Sequence, residues 1–256
     1  MRIALCQTTS PAGDISAGLD AVRSALAEAT GAGADILVMQ ELFLPGYVAT
    51  GAVPPDEWSG VAGKLAEACR NHGVALAIGL PEYSGDQVYN SAYVFSSQGA
   101  EIARTRKVQL FGPDENALFL PGNRLATFDY LGTRIGLVIC YDIEFPEHVR
   151  ALKRAGVAVI LVPTANMMPF TYVNDLLVPA RAAENALTIA YANYCGPEGP
   201  LVFTGRSVIA GPDGSVLAKA VEAPQMLVAD VPTEVSIPLS TQIEDLRTVE
   251  VSYSGS

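Results

Sequence analysis

The stretch Gly136-Leu-Val-Ile-Cys-Tyr-Asp-Ile-Glu-Phe-Pro-Glu147 decides how this chain is read. An apolar strand runs straight into a cysteine, followed by an acidic, proline-containing turn and a helix. In α/β proteins the side chains at the carboxyl ends of strands converge on a crevice, so Cys140 stands where a nucleophile belongs. The competing reading is a buried, inert thiol at the end of a core strand, because free cysteine is among the most buried residue types. Two other segments bear on the choice.

Ala34 to Gln40 reads as an apolar strand that delivers Glu41, and Glu101 to Lys107 ends on a lysine. A carboxylate, an ammonium and a thiol thus occupy three corresponding strand ends. Any one alone is as well read as a solvated strand terminus. Together they make chemical sense, because a thiol with an unperturbed pKa of about 8.5 needs a base or a nearby cation to attack at neutral pH.

Around these points strands alternate with helices. Ile3 to Thr8 reads as a buried strand, Ile15 to Gly31 as an amphipathic helix, and Trp58 to His72 as a second helix stopped at Gly73. Strands are expected at Val74 to Leu80, Val88 to Phe95, Ala100 to Lys107, Leu125 to Tyr130 and Arg134 to Cys140. A helix from Pro146 to Ala155, a strand from Val157 to Pro163 and a helix through Leu177 to Asn185 follow. Thr188 to Asn193, Arg206 to Ala210, Val216 to Lys219 and Gln225 to Asp230 complete the strands, with Gly211-Pro-Asp-Gly214 as a hairpin turn. The 256 residues contain no linker or repeat, so the expectation is a single domain over 1–256. The polar tail after about residue 232 is either frayed or packed on a neighbouring subunit.

Half of the residues are hydrophobic and 17% are charged, enough for a large core. A net charge of −11 without any Lys/Arg cluster argues against a nucleic-acid partner. No stretch is long and apolar enough to span a bilayer, and the start Met1-Arg-Ile-Ala-Leu-Cys-Gln7, which enters a strand at once, leads to the expectation of no secretory signal. Cys6, Cys69, Cys140 and Cys195 are far apart, and His72 and His148 are the only histidines. The expectation is a reduced, cytoplasmic, metal-free protein that needs no cofactor.

With these residues in view, the chain resembles the nitrilase superfamily, the carbon–nitrogen hydrolases. The resemblance rests on Gln40-Glu-Leu-Phe-Leu-Pro-Gly46, Arg106-Lys-Val-Gln-Leu-Phe-Gly112 and Val138-Ile-Cys-Tyr-Asp-Ile-Glu-Phe-Pro-Glu147, and it covers Met1 to about Val231. It implies a four-layer α-β-β-α sandwich, doubled as a homodimer or higher homo-oligomer. It also implies a catalytic triad of Glu41, Lys107 and Cys140, with Glu115 as a second glutamate and Asp114 as the competitor for that role. The backbone N–H of Tyr141 would join Lys107 in holding the oxyanion. His148, eight residues after the cysteine, is the rival base, although its helix leads away from the strand end. His72 ends a helix, where an imidazole suits the dipole.

Cys140-Tyr-Asp142 resembles the amidase and carbamoylase branches, whereas nitrilases more often show Cys-Trp-Glu. Relatives acting on dicarboxylate monoamides often carry an arginine where Glu144 stands. The loop Thr164 to Tyr172 contains no Lys or Arg, which disfavours a substrate carboxylate. Met167, Met168, Phe170 and Tyr172 either suit an apolar acyl group or pack against a helix, with Thr164 as a further substrate contact and Phe43, Tyr47 and Phe111 as further pocket walls. Arg181 and Glu184 read as an ion pair within a helix, and the Gly196-Pro-Glu-Gly-Pro200 loop resembles simple aliphatic amidases. The expected activity is hydrolysis of small neutral amides. A nitrilase, an N-carbamoyl amino acid amidohydrolase, a glutaminase subunit and a catalytically silent binding module are the alternatives.

Overall fold

Apolar residues run almost without a break through the central strands, the pattern of a sheet covered on both faces. The computed structural model describes residues 1–232 and 237–250. In its first half come β1 (Arg2–Gln7), α1 (Ile15–Gly31), β2 (Ile36–Val38), α2 (Val61–His72), β3 (Ala75–Ser84), β4 (Gln87–Phe95), β5 (Glu101–Arg106) and α3 (Gly112–Leu118). Next come β6 (Ala126–Tyr130), β7 (Thr133–Leu137), α4 (Pro146–Arg154), β8 (Val159–Pro163), α5 (Val178–Asn185) and β9 (Thr188–Ala192). Last are β10 (Cys195–Glu198), β11 (Leu201–Thr204), β12 (Val208–Ala210), β13 (Val216–Lys219), β14 (Gln225–Asp230) and α6 (Gln242–Asp245).

Two sheets of six strands form, in the orders β14-β1-β2-β3-β4-β5 and β13-β12-β9-β8-β7-β6. Each has three central strands in parallel, β1-β2-β3 and β7-β8-β9, with antiparallel strands on either side. Parallel neighbours need a crossover, and α1, α2, α4 and α5 supply them.

Strand alternation divides the apolar side chains among three layers. Ile3, Leu5, Ile36 and Val38 share one buried cluster with Ile135, Leu137, Val159 and Leu161, the layer between the sheets. The alternate residues Ala4, Leu37, Leu76 and Ile78 pack with Leu19, Val22 and Leu26 of α1 and Leu65 of α2. On the other outer face Ile160, Val162, Ile189 and Tyr191 pack with Val149, Leu152, Val178 and Ala182 of α4 and α5. The result is the α-β-β-α sandwich expected from the resemblance.

Several boundaries differ from the expectation for local reasons. The strand before Glu41 has three residues instead of seven, although Met39 N–H still donates to the Ala77 carbonyl and the Gln40 carbonyl accepts from the Gly79 N–H. Residues 55–58 form a 3-10 turn, and α2 starts only at Val61, after Gly60 in the left-handed conformation. The strand before Cys140 stops at Leu137, so the cysteine does not close it but opens a 3-10 turn, Cys140–Glu144. Val173–Leu177 is a π turn feeding α5. The expected loop around Gly196 is the antiparallel hairpin β10-β11, and α3 was not expected at all.

Part of the tail, residues 233–236 and 251–256, lies outside the described residues. Of the rest, the Ser240 hydroxyl donates to the Glu184 carbonyl at 3.4 Å, and Leu246 lines a groove with Pro146, Arg150 and Arg154. This described part of the tail lies against α4 and α5 of its own chain. Among the described residues no helix is long and apolar enough to cross a membrane.

Candidate active site

Three backbone devices bring the strand-end residues together. Past β2, Met39 N–H donates to the Ala77 carbonyl and Glu41 N–H to the Thr164 carbonyl, which ties the glutamate to the loop after β8. Gly79 makes this path possible, since a Cβ there would lie 2.5 Å from Glu41 Cα. Lys107 follows β5, with its N–H on the Asn90 carbonyl at 2.8 Å. Cys140 has φ +42, a left-handed conformation that costs a non-glycine residue about 1–3 kcal/mol.

The side chains form one buried polar chain. Lys107 Nζ donates to Glu41 Oε1 at 2.7 Å and to Glu115 Oε1 at 2.6 Å. Asn90 Nδ2 also donates to Glu41 Oε1, at 2.7 Å, while Glu41 Oε2 is buried without a partner. Glu115 accepts further from the Tyr47 hydroxyl at 2.6 Å and from the Phe111 N–H at 2.9 Å. Lysine has three ammonium protons, and these carboxylates occupy two. One donor on Lys107 and one acceptor on Glu41 thus remain for chemistry.

Electrostatics fix the resting protonation states. Burial pushes the Cys140 thiol well up, the charge of Glu41 adds to this, and Lys107 only partly opposes it. The cysteine therefore rests as a thiol and must hand over its proton to react. Burial alone would lower the Lys107 pKa, but Glu41 and Glu115 outweigh it and keep the ammonium charged. Glu41 is raised by burial, with Lys107 opposing and Glu115 reinforcing. A carboxylate with a raised pKa is a better base than an exposed one.

Cys140 opens on a pocket of about 170 Å³, lined also by Tyr47, Phe111, Tyr141, Glu144, Ala165, Asn166, Met167, Phe170 and Tyr172. The aromatic walls brace one another: Phe111 meets Tyr141 and Phe170 edge-on, at centroid distances of 5.3 and 5.8 Å. Tyr47, Phe111 and Met167, named from the sequence, are among the lining residues. Phe43 and Thr164 are not pocket walls. Phe43 is fully buried in the layer beneath α1 and stacks on Tyr194, because its place in the turn after Glu41 faces the core. Thr164 is fully buried, and its hydroxyl oxygen has no hydrogen-bond partner among the described residues.

Glu115 is buried on Lys107 while Asp114 is exposed, so of these two carboxylates Glu115 is the one at the site. His148 is absent from the pocket lining: its Nδ1 lies 3.2 Å from the Asp142 carbonyl and its Nε2 3.5 Å from Gln109 Nε2. Arg181 pairs with Glu184 at 3.2 Å, as expected within the helix. The Tyr141 N–H sits in the first turn of the 3-10 segment, where such groups lack an intrahelical acceptor. No group of three or more potential metal ligands occurs among the described residues.

Four supporting residues were not expected. Besides Asn90, Asp142 accepts the N–H groups of Val108, Gln109 and Ile139, clamping the loop after Lys107 onto the cysteine turn. Glu198 in β10 accepts the N–H groups of Tyr47, Val48 and Ala49, which holds the Tyr47 loop. Asn166 binds the Phe170 carbonyl and Asn174 Oδ1, and so fixes the Met167–Phe170 wall. The one available signal was polar residues inside apolar runs, as in Val88-Tyr-Asn-Ser-Ala92.

Residues 2–238 match the model of the carbon-nitrogen hydrolase family. An (R)-stereoselective amidase from Pseudomonas sp. is 36% identical over 86% of this chain and 81% of its own length. The structure of an amidase from Nesterenkonia sp. superposes with a TM-score of 0.90 at 39% identity, covering 96% of this chain and 93% of that one. A mutant of the amidase from Nesterenkonia sp. AN1, 40% identical with a TM-score of 0.87 over 91% and 94% of the two chains, shows Michael addition of acrylamide at its active-site cysteine.

Proposed function

We propose, given that the chain belongs to the carbon-nitrogen hydrolase family, that it is an amidase which hydrolyses small neutral carboxamides through an acyl-thioester on Cys140. The observation that carries this reading is the buried Glu115–Lys107–Glu41 chain beside a thiol, with one carboxylate oxygen unpartnered. Glu41 Oε2 takes the thiol proton as Sγ attacks the amide carbonyl carbon. The remaining Lys107 N–H and the Tyr141 N–H hold the oxyanion, charge that develops only along the reaction. Glu41 returns the proton to the amide nitrogen, the C–N bond breaks and ammonia leaves. A water that gives its proton to Glu41 then attacks the thioester, and the carboxylic acid departs as the thiol re-forms. Glu115 keeps Lys107 charged and positioned.

The pocket walls of Tyr47, Phe111, Met167, Phe170 and Tyr172, with no Lys or Arg in the lining, support amides without a carboxylate on the acyl chain. A buried carboxylate without a cation would cost several kcal/mol. The amidase relatives, one of them carrying an acrylamide adduct on its cysteine, point the same way. A nitrilase is the second reading, favoured by a 33% identical relative from Pyrococcus abyssi that bears that name. Assembly as a homo-oligomer rests on the resemblance, and light scattering tests it. A cytoplasmic setting is supported by four free cysteines, which a reducing compartment keeps as thiols.

Rates for propionamide, propionitrile, an N-carbamoyl amino acid and glutamine test the activity. Propionamide should be turned over fastest by far, and Cys140→Ala should abolish its turnover while leaving the fold intact. A preference for nitrile or for a carboxylate-bearing substrate overturns the reading.

A further inference from the structure

Among the residues lining the pocket, Glu144 alone carries a formal charge outside the Glu41–Lys107–Glu115 chain. It is half-buried, and among the described residues its carboxylate makes no hydrogen bond or ion pair. Other shielded acids in this protein do not go without. Glu82 holds Arg106 at 2.7 Å, Asp175 holds Arg206 and Lys219 at 2.7 Å each, and Glu184 holds Arg181 at 3.2 Å. Arg181 is engaged elsewhere: its Nη2 donates to the backbone carbonyl of Glu144 at 2.8 Å and its Nη1 to Glu184. Lys107 is engaged by two carboxylates.

We infer that Glu144 is a specificity residue that reads the charge of the substrate's acyl chain, favouring amides that carry an ammonium group over their neutral isosteres. The inference rests on the amidase reading and goes beyond its neutral substrates: these remain substrates, and amides carrying an ammonium group are preferred over them. An unpaired anion in a partly desolvated wall gains from any cation brought to it and repels a second anion. The same pocket therefore turns away carboxylate-bearing amides and rewards amino-substituted ones, with Tyr141, Phe170 and Tyr172 covering the methylene portion. Burial pushes the Glu144 carboxyl up, opposed by Lys107 and Arg181, which fits an acid lacking a close partner.

Two isosteric pairs test it at neutral pH: glycinamide against propionamide, and β-alaninamide against butyramide. In the wild-type protein kcat/KM should favour the ammonium member of at least one pair by roughly tenfold, the scale of one charge-assisted hydrogen bond. That ratio should collapse toward unity in Glu144→Gln, or in Glu144→Ala if the glutamine variant fails to fold. Equal or faster turnover of both neutral members, or a ratio that survives the substitution, overturns the inference. If no amide is turned over, it is the amidase reading that falls. Calorimetry on Cys140→Ala then decides the role of Glu144: tighter binding of an ammonium member supports it, and equal binding rejects it.

Discussion

Asn90 donates its side-chain N–H to Glu41 Oε1 at 2.7 Å, on the same oxygen that receives Lys107. Both donors thus hold one face of the carboxylate, and the other oxygen is left as the acceptor. Asn90→Ala should lower kcat/KM by about 10²-fold, since a misplaced catalytic group loses on that scale. The Asn90 bond favours the ionised carboxylate, so its loss raises the Glu41 pKa further. The base must be ionised to act, and the acid limb of the pH–rate profile should therefore move to higher pH. An unmoved limb would show that Asn90 is only structural.

His148 tests the assignment of the base from the other side. Its ring sits on the Asp142 carbonyl and beside Gln109, away from the pocket lining. His148→Ala should change kcat/KM little, whereas Glu41→Gln should lose about 10²–10⁴-fold in each half-reaction that uses the base. Burst kinetics with a chromogenic amide separate the two half-reactions. Equal damage from the two substitutions would return the Cys–His arrangement to consideration.

The alternation of strands and helices was legible in the sequence, and so were Glu41, Lys107 and Cys140, because each is an ionisable group that breaks an apolar or strand-like run, as in Val138-Ile-Cys140; the four-layer sandwich was expected only from the family resemblance. The sequence did not carry the facing of residues in the turns that follow. Phe43 and Phe111 are both aromatics shortly after a motif residue, yet one enters the core and the other the pocket. Gly79, on a neighbouring strand, gives room for the turn at Glu41, and Glu115, four residues further on, accepts the Phe111 N–H. Helix α3 was hidden because Gly112-Pro-Asp-Glu-Asn116 is turn chemistry, and proline is equally at home in a first helical turn. Glu198 was hidden inside Gly196-Pro-Glu-Gly-Pro200, a loop by composition that pairs as a hairpin.

Glu82 predicts part of the response to acid. Burial would raise its pKa, but hydrogen bonds from Arg106 and Ser91, with Arg104 nearby, bring the net shift below the ordinary value. A depressed folded-state pKa contributes stability that is present above the unfolded value, about 4.3, and lost as pH falls through the folded one. Glu82→Gln should therefore lower the urea midpoint at pH 7 and lose that deficit near pH 3. A deficit of the same size at both values would mean that packing, not charge, accounts for the effect.

Glu115 predicts how the lysine is kept in place. Its Oε1 accepts from Lys107 and from the Tyr47 hydroxyl, both at 2.6 Å, and its Oε2 accepts the Phe111 N–H. Burial and the neighbouring carboxylates keep Tyr47 a neutral phenol, so it can only donate here. In Glu115→Gln the added amide protons oppose one of these three donors, and Lys107 loses half of its counter-charge. The expected result is a fall in kcat of about 10²-fold or more, the scale for one oxyanion donor displaced, with a smaller change in KM. Asp114→Asn, next in sequence but exposed, should leave both parameters near wild type. A loss confined to KM would instead make Glu115 a contact for the bound amide, and comparable losses from the two substitutions would remove the distinction between these carboxylates.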